Sequence, residues 1–358
     1  MEVVAKKREQ AFDIAKGIGM LAVILGHMSI PDKLGDFIFS FHMPLFFLIN
    51  GYFLKRKEGI GDWQYIRKKA KSLLVPYAVT CIFVLLFSTF FQMWQGVASA
   101  GLLANAKSWV LASFYGSGTF THFLKWDFRI IGAIWFLLAM FWADTLFHFL
   151  LKSKRPYLYG TILSLIGYFT TKIIWLPLSL QAGLSAIFFI QIGHFVRKKD
   201  LFRKYKDNLQ VTSLAGIFWL IAIWYSGKLY MVGNNYGHGF LDVIGAISAT
   251  FLILKFSGFL EQKCELVAGM LSFYGRNSLI VLCFHLIELN TFPWSILMKK
   301  CSLEMGTILV YFGKIIWSVL MIYFVHHISV LSRVYCVQPK KRMKEGVGSN
   351  FIATKENG

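Results

Sequence analysis

Apolar residues run through this chain in ten long blocks, at roughly residues 12–30, 37–54, 73–94, 130–150, 157–175, 178–196, 210–226, 240–257, 270–288 and 306–331. Blocks of this length lie near the ~20 residues a helix needs to cross the hydrocarbon of a bilayer. The pattern therefore predicts an all-α integral membrane protein with about ten transmembrane helices, residues 1–332 forming one membrane domain. Only PDKLGD separates the first two blocks, which makes them antiparallel neighbours. One interruption is long, about 95–129, and carries Trp94, Trp109, Tyr115, His122 and Trp126. Its middle, LLANAKSWVLASFYG, can lie in the membrane interface as an aromatic belt or dip back as a re-entrant lid. After the last block, residues 333–358 form a basic, Gly- and Ser-containing tail expected to be disordered.

Composition supports the membrane class. The 358 residues are 56% hydrophobic and 16% charged, and mean hydropathy is +0.56. A soluble domain this apolar would expose large adhesive patches. The formal charge of +20 could suggest nucleic acid, but position decides otherwise. Of the 38 basic residues, 27 fall on the side that includes both ends of the chain and 8 on the other, so both termini are predicted to be cytoplasmic. Charge scattered over loops is a topology signal and makes no nucleic-acid stripe. The five cysteines show no metal-type spacing, and their odd number argues against a disulfide framework. The first block carries Lys16 and lacks a small-residue cleavage site, so it reads as a retained span and not a signal peptide.

The chemistry is concentrated in a few ionisable residues inside apolar blocks. Such residues are costly in a membrane and normally face a bundle interior or a wet cavity. Lys16 and His27 are eleven residues apart, almost three helical turns and about 16 Å of rise, on one face. His42, in FSFHMPLFF, is expected at a similar depth on the neighbouring helix. In the ninth block Glu288 lies one turn beyond His285 and can orient it, Ser278 shares the His285 face, and Arg276 falls on the opposite face of a regular helix. Neutral imidazole is a suitable general base near neutral pH. Lys16 can instead be a snorkelling anchor, or be held by Asp13. Arg67, Lys68, Lys69 and Lys71 form a basic patch that can hold phosphates or contact anionic lipid. No histidines and carboxylates stand at zinc-type spacing, so no metal is expected.

The runs DIAKGIGMLAVILGH, FHMPLFFLINGYF, RKKAKSLLVPY, AIWFLLAMFWA and YGRNSLIVLCFH, in this order, resemble the bacterial acyltransferase family 3, and within it the fucose 4-O-acetylase-like integral membrane acetyltransferases. The family's motif of a basic residue and a histidine eleven positions apart maps onto Lys16 and His27, with lysine where arginine is more usual. The resemblance implies a multi-pass protein of the bacterial cytoplasmic membrane that moves an acyl group, usually acetyl, from cytoplasmic acyl-coenzyme A to a sugar hydroxyl of an extracytoplasmic or lipid-linked glycan. It implies coenzyme A contacts for Lys16, Arg67, Lys68 and Lys71, and a general-base or acyl-carrying role for His27. His42 or His285, with Glu288, would polarise the carbonyl or relay the proton, and Trp135 would pack on the sugar. The competing expectation is a transporter or flippase in which the same ionisable residues form a proton or solute pathway.

Overall fold

The computed structural model describes residues 9–56, 59, 61–123, 126–225, 228–294 and 302–336. Residues 337–358, most of the predicted tail, lie outside the described residues, as do residues 295–301, which include Cys301.

Each of the ten apolar blocks contains helix, but helix ends and breaks fall where prolines and polar caps dictate. Helix α1 (Gln10–Gly26) stops with His27 as its C-cap, short of the predicted residue 30. Pro31 lies four residues on, where its ring would meet the His27 carbonyl of a continuing helix. The second block splits into α2 (Asp32–Phe39) and α3 (His42–Phe53). Pro44 has no N–H for the Ser40 carbonyl, and the break falls at Ser40 and Phe41, the latter with φ −138°. Pro44 is tolerated in the first turn of α3, where N–H groups lack helical partners anyway. Helix α4 (Asp62–Lys69) runs into α5 (Val75–Trp94) through a π-helical turn, Ala70–Leu74. Pro76 would clash with the Ser72 carbonyl in a regular helix, and the wider turn relieves that clash.

The long outer interruption contains helix α6 (Ser99–Tyr115), closed by Gly116 at φ +67°, and an antiparallel hairpin, β1 (Thr121–Phe123) and β2 (Trp126–Phe128). Neither the helix nor the hairpin was assigned to this segment from the sequence. Then come α7 (Trp135–Leu150), α8 (Pro156–Thr170), α9 (Leu180–Lys198), the short α10 (Leu201–Tyr205), α11 (Leu209–Tyr225) and α12 (Phe240–Lys263). The ninth block forms α13 (Glu265–Arg276) and α14 (Ser278–Thr291), bent by 71° at Asn277. Asn277 Nδ2 donates to the Phe273 carbonyl at 2.9 Å, beside the Asn277 backbone N–H that reaches the same oxygen at 3.3 Å. The chain ends in α15 (Leu303–His327), capped by Ser302, and α16 (Ser329–Tyr335). Helix therefore continues past residue 332, and Tyr335 is buried with its hydroxyl 3.0 Å from Thr80 of α5. Among the described residues, five helices are long and apolar enough to cross a membrane, or six if the bent pair is one span.

Helix α1 is the hub, packed against α13, α12, α3, α14 and α15, while α3 lies along α9. Two of these contacts bring backbone onto backbone. A methyl group at Gly275 would overlap the Asp13 carbonyl, and one at Gly51 would overlap the Ile190 carbonyl. The outer surface of α5, α11 and α15 is apolar, with Phe90, Leu220 and Ile316 exposed, as expected of faces turned to lipid. We expect Gly51→Val to destabilise the protein by about 1–3 kcal/mol, the usual range for overpacking. Gly216→Ala, with open space around it, should be close to neutral; thermal unfolding in detergent distinguishes the two.

Candidate active site

The inward stripe of α1 is Lys16, Met20 and Val23, spaced by four and three residues, and it lines a cavity of about 430 Å³. The opposite walls come from Met43, Phe46 and Asn50 of α3, Lys69 and Ser72 at the π-turn, Phe136 and Met140 of α7, and Ser278 and Leu282 of α14. Both cations, Lys16 and Lys69, line it. Lys16 is also 3.3 Å from Asp13, so the expected ion pair and a cavity-facing position coexist.

His27 follows the same stripe. Its Nδ1 lies 2.8 Å from the Val23 carbonyl. A carbonyl can only accept, so Nδ1 carries the proton and donates, leaving Nε2 with its lone pair. Because the helix has ended, His27 is exposed and not enclosed in a span. Its ring meets that of His285 edge-on, with centroids 5.2 Å apart and an interplanar angle of 77°. His42 is buried, donates Nδ1–H to the Ile38 carbonyl at 2.9 Å, and is close enough to act electrostatically on His27. His285 is thus the ring neighbour of His27.

Behind His285 stands a buried carboxylate. Glu288 Oε1 is 2.7 Å from His285 Nδ1 and accepts from Lys314 Nζ at 2.7 Å; Oε2 accepts from the same ammonium at 3.0 Å and from the Trp294 indole N–H. Glu288, His285 and Lys314 are almost wholly buried. With Nδ1–H directed at the carboxylate, His285 Nε2 is an acceptor, and it has no hydrogen-bond partner among the described residues. Sequence reasoning paired Glu288 with His285 but assigned nothing to Lys314 or Trp294. A lone lysine in YFGKIIW was the available signal.

At the other end of the cavity, Asp144 of α7 is fully buried and gathers three donors. Asn50 Nδ2 and Lys69 Nζ each reach Oδ2 at 2.6 Å, and the Tyr65 hydroxyl donates to Oδ1. Tyr65 stacks on His148 at 3.6 Å. This cluster was also unforeseen, although Asp144 is the only acidic residue in its apolar block. Of the basic patch, Lys69 turns into the cavity, while Arg67, Lys68 and Lys71 are exposed outside it. Trp135 is 5% exposed, and a methyl group at Gly118 would lie 2.6 Å from its ring, so the indole is packed beneath the 117–121 segment. Arg276 is exposed across the bend, apart from the cavity walls.

A family model described as an acyltransferase domain (Acyl_transf_3) matches residues 9–327, nearly the whole described chain. This chain belongs to the acyltransferase 3 family. It is also 29% identical over 154 residues to the nodulation protein NolL of Sinorhizobium fredii (strain NBRC 101917 / NGR234), covering 38% of this chain and 35% of that protein. The match spans about a third of the length of that curated relative. No solved structure matches.

The Glu288–Lys314 pair makes a prediction about this protein's stability. Removing one partner of a buried ion pair typically costs about 3–5 kcal/mol because the other charge is stranded. Lys314→Met should therefore lower the unfolding temperature sharply, and adding Glu288→Gln should recover part of the loss. If the double variant were less stable than Lys314→Met alone, the pair would not be acting as a mutual neutraliser.

Proposed function

We propose that this protein transfers a short acyl group, acetyl being the first candidate, from cytoplasmic acyl-coenzyme A to a sugar hydroxyl of an extracytoplasmic or lipid-linked glycan. The observation that carries the reading is the α1 stripe: a cavity with two cations on its walls runs along Lys16, Met20 and Val23, and the Val23 carbonyl sets the tautomer of His27. The phosphates of coenzyme A would meet Lys16 and Lys69, with Arg67, Lys68 and Lys71 drawing the nucleotide to the mouth by their field. Asp144 holds Lys69 and Asn50 in place for that contact. The apolar side chains between would accept the pantetheine arm and present the thioester toward His27.

His27 Nε2 is the proposed base. It takes the proton of the acceptor hydroxyl as the oxygen attacks the thioester carbon, and the C–S bond then breaks with that proton passing from Nε2 to the leaving thiolate, which restores the neutral ring. In the covalent variant Nε2 attacks first and carries the acyl group to the sugar. His285, oriented by Glu288, would accept a hydrogen bond from the protonated His27 ring. The adjacent His42 would polarise the carbonyl or relay a proton. A transporter remains the second reading because the α13–α14 helix is broken at 71° beside the cavity, a feature common in transport proteins.

Purified protein in detergent with labelled acetyl-coenzyme A and a glycan acceptor separates these readings. His27→Ala should reduce thioester consumption by about a hundredfold or more, the usual worth of a general base. An unaltered rate would refute the role. Lys69→Gln should raise the KM for the donor several-fold with a smaller effect on kcat, since it removes a contact made before and during the reaction alike. Rapid quenching without acceptor traps an acyl-histidine only if transfer is covalent. A protein that moves solute and never consumes the thioester would be a transporter.

A further inference from the structure

Two more cavities adjoin other faces of α1 and α3, and they join each other. The first, about 350 Å³, is apolar and lies between Val196 of α9, Leu214 and Phe218 of α11, and Leu254 of α12. The second, about 500 Å³, is polar and is lined by Arg203, Lys206 and Lys255 together with Glu9, Asp207 and Glu261. Phe12 and Tyr52 line both, whereas the transferase cavity uses Lys16 and Asn50 of the same helices. The apolar part opens sideways: Leu214 is 53% and Phe218 41% exposed, on the apolar outer surface of α11.

The charges at the polar end differ in how they are satisfied. Glu9 already accepts from Arg203 at 2.8 Å, and Asp207 and Glu261 are exposed rim residues. Lys255 is half-buried, and its described hydrogen bond goes to a hydroxyl, Thr212 Oγ1 at 2.7 Å, not to a carboxylate. An ammonium partly withdrawn from water with only a neutral partner favours an incoming anion. It sits eight residues before the end of α12, about 12 Å of rise, on the same end as the basic residues of α10. That is the depth of a headgroup whose chain would reach back between α9 and α11.

We infer that this crevice binds an anionic glycerophospholipid of the leaflet on the side of the basic loops, its phosphate against Lys255 with Lys206 at the rim, and one acyl chain in the apolar cavity. The inference does not depend on the transferase reading. It supplies an occupant for a lipid-facing opening that would otherwise leave apolar walls beside a half-buried charge.

Native mass spectrometry of the full chain, released from detergent with added lipid, tests it. Phosphatidylglycerol should be retained in preference to diacylglycerol with identical chains, and glycerol 3-phosphate without chains should not compete at equal concentration. Lys255→Gln should weaken phosphatidylglycerol retention roughly fivefold, the factor for one lysine's attraction to an anionic headgroup, and leave diacylglycerol unchanged. Val211→Trp, which fills the apolar part, should weaken both lipids. Equal retention of the charged and uncharged lipid by the wild-type protein would overturn the inference, and so would phosphatidylglycerol binding that is unchanged in Lys255→Gln. The comparison on wild-type protein alone decides the matter if a variant does not fold.

Discussion

Proline cannot donate a backbone hydrogen bond, and its ring cannot sit beside the carbonyl four residues earlier; the site of this protein is arranged by three places where that constraint is met. Pro31 follows the end of α1, so His27 emerges from the helix instead of remaining in its wall. Pro44 forces the break before α3, which puts His42 at a helix start with Nδ1 held by the Ile38 carbonyl of the preceding turn. Pro76 is accommodated by the π-turn that follows Lys69, and the extra residue of that turn changes which basic side chain faces inward. Each local accommodation is inexpensive next to an interior proline in an unbroken helix. Together they set the positions of a proton acceptor, its neighbour and a cation.

The second organising element is the Glu288 carboxylate. Burying an ion is costly unless its lone pairs are filled, and here an ammonium, an imidazole and an indole fill them. The arrangement ties α14 to α15 and leaves His285 with one committed nitrogen and one open one. It gives the interior a polar cluster in which every charge has a partner, beside an otherwise apolar core.

Much of this was legible in the residue order. The apolar blocks gave the helices, and the eleven-residue interval between Lys16 and His27 gave the stripe that lines the cavity. The three-residue interval from His285 to Glu288 gave their hydrogen bond. The failures have physical causes. Arg67, Lys68 and Lys71, assigned to the donor by the family resemblance, are exposed outside the cavity, while Lys69 beside them lines it. Arg276, placed opposite His285 by regular helical spacing, does stand apart from the cavity, but across a 71° bend and not on one continuous helix. Asp144 and Lys314 were visible as solitary charges in apolar blocks, but their partners lie 75 and 26 residues away in sequence, at Lys69 and Glu288. Such separations carry no periodicity. Trp135, expected against the sugar by the family resemblance, is 5% exposed beneath the 117–121 segment.

The backbone contacts at Gly51 and Gly275 have a mechanical consequence. Where two main chains touch without intervening side chains there is nothing to re-rotamer, so α3 with α9, and α1 with α13, behave as welded girders. Any breathing that admits a bulky molecule to the α1 cavity then falls to its other walls, among them the α4–π–α5 segment with its latch of Lys69 and Tyr65 on Asp144. That seam is a hydrogen-bonded one, which can unzip and reseal without disturbing the frame that aims His27.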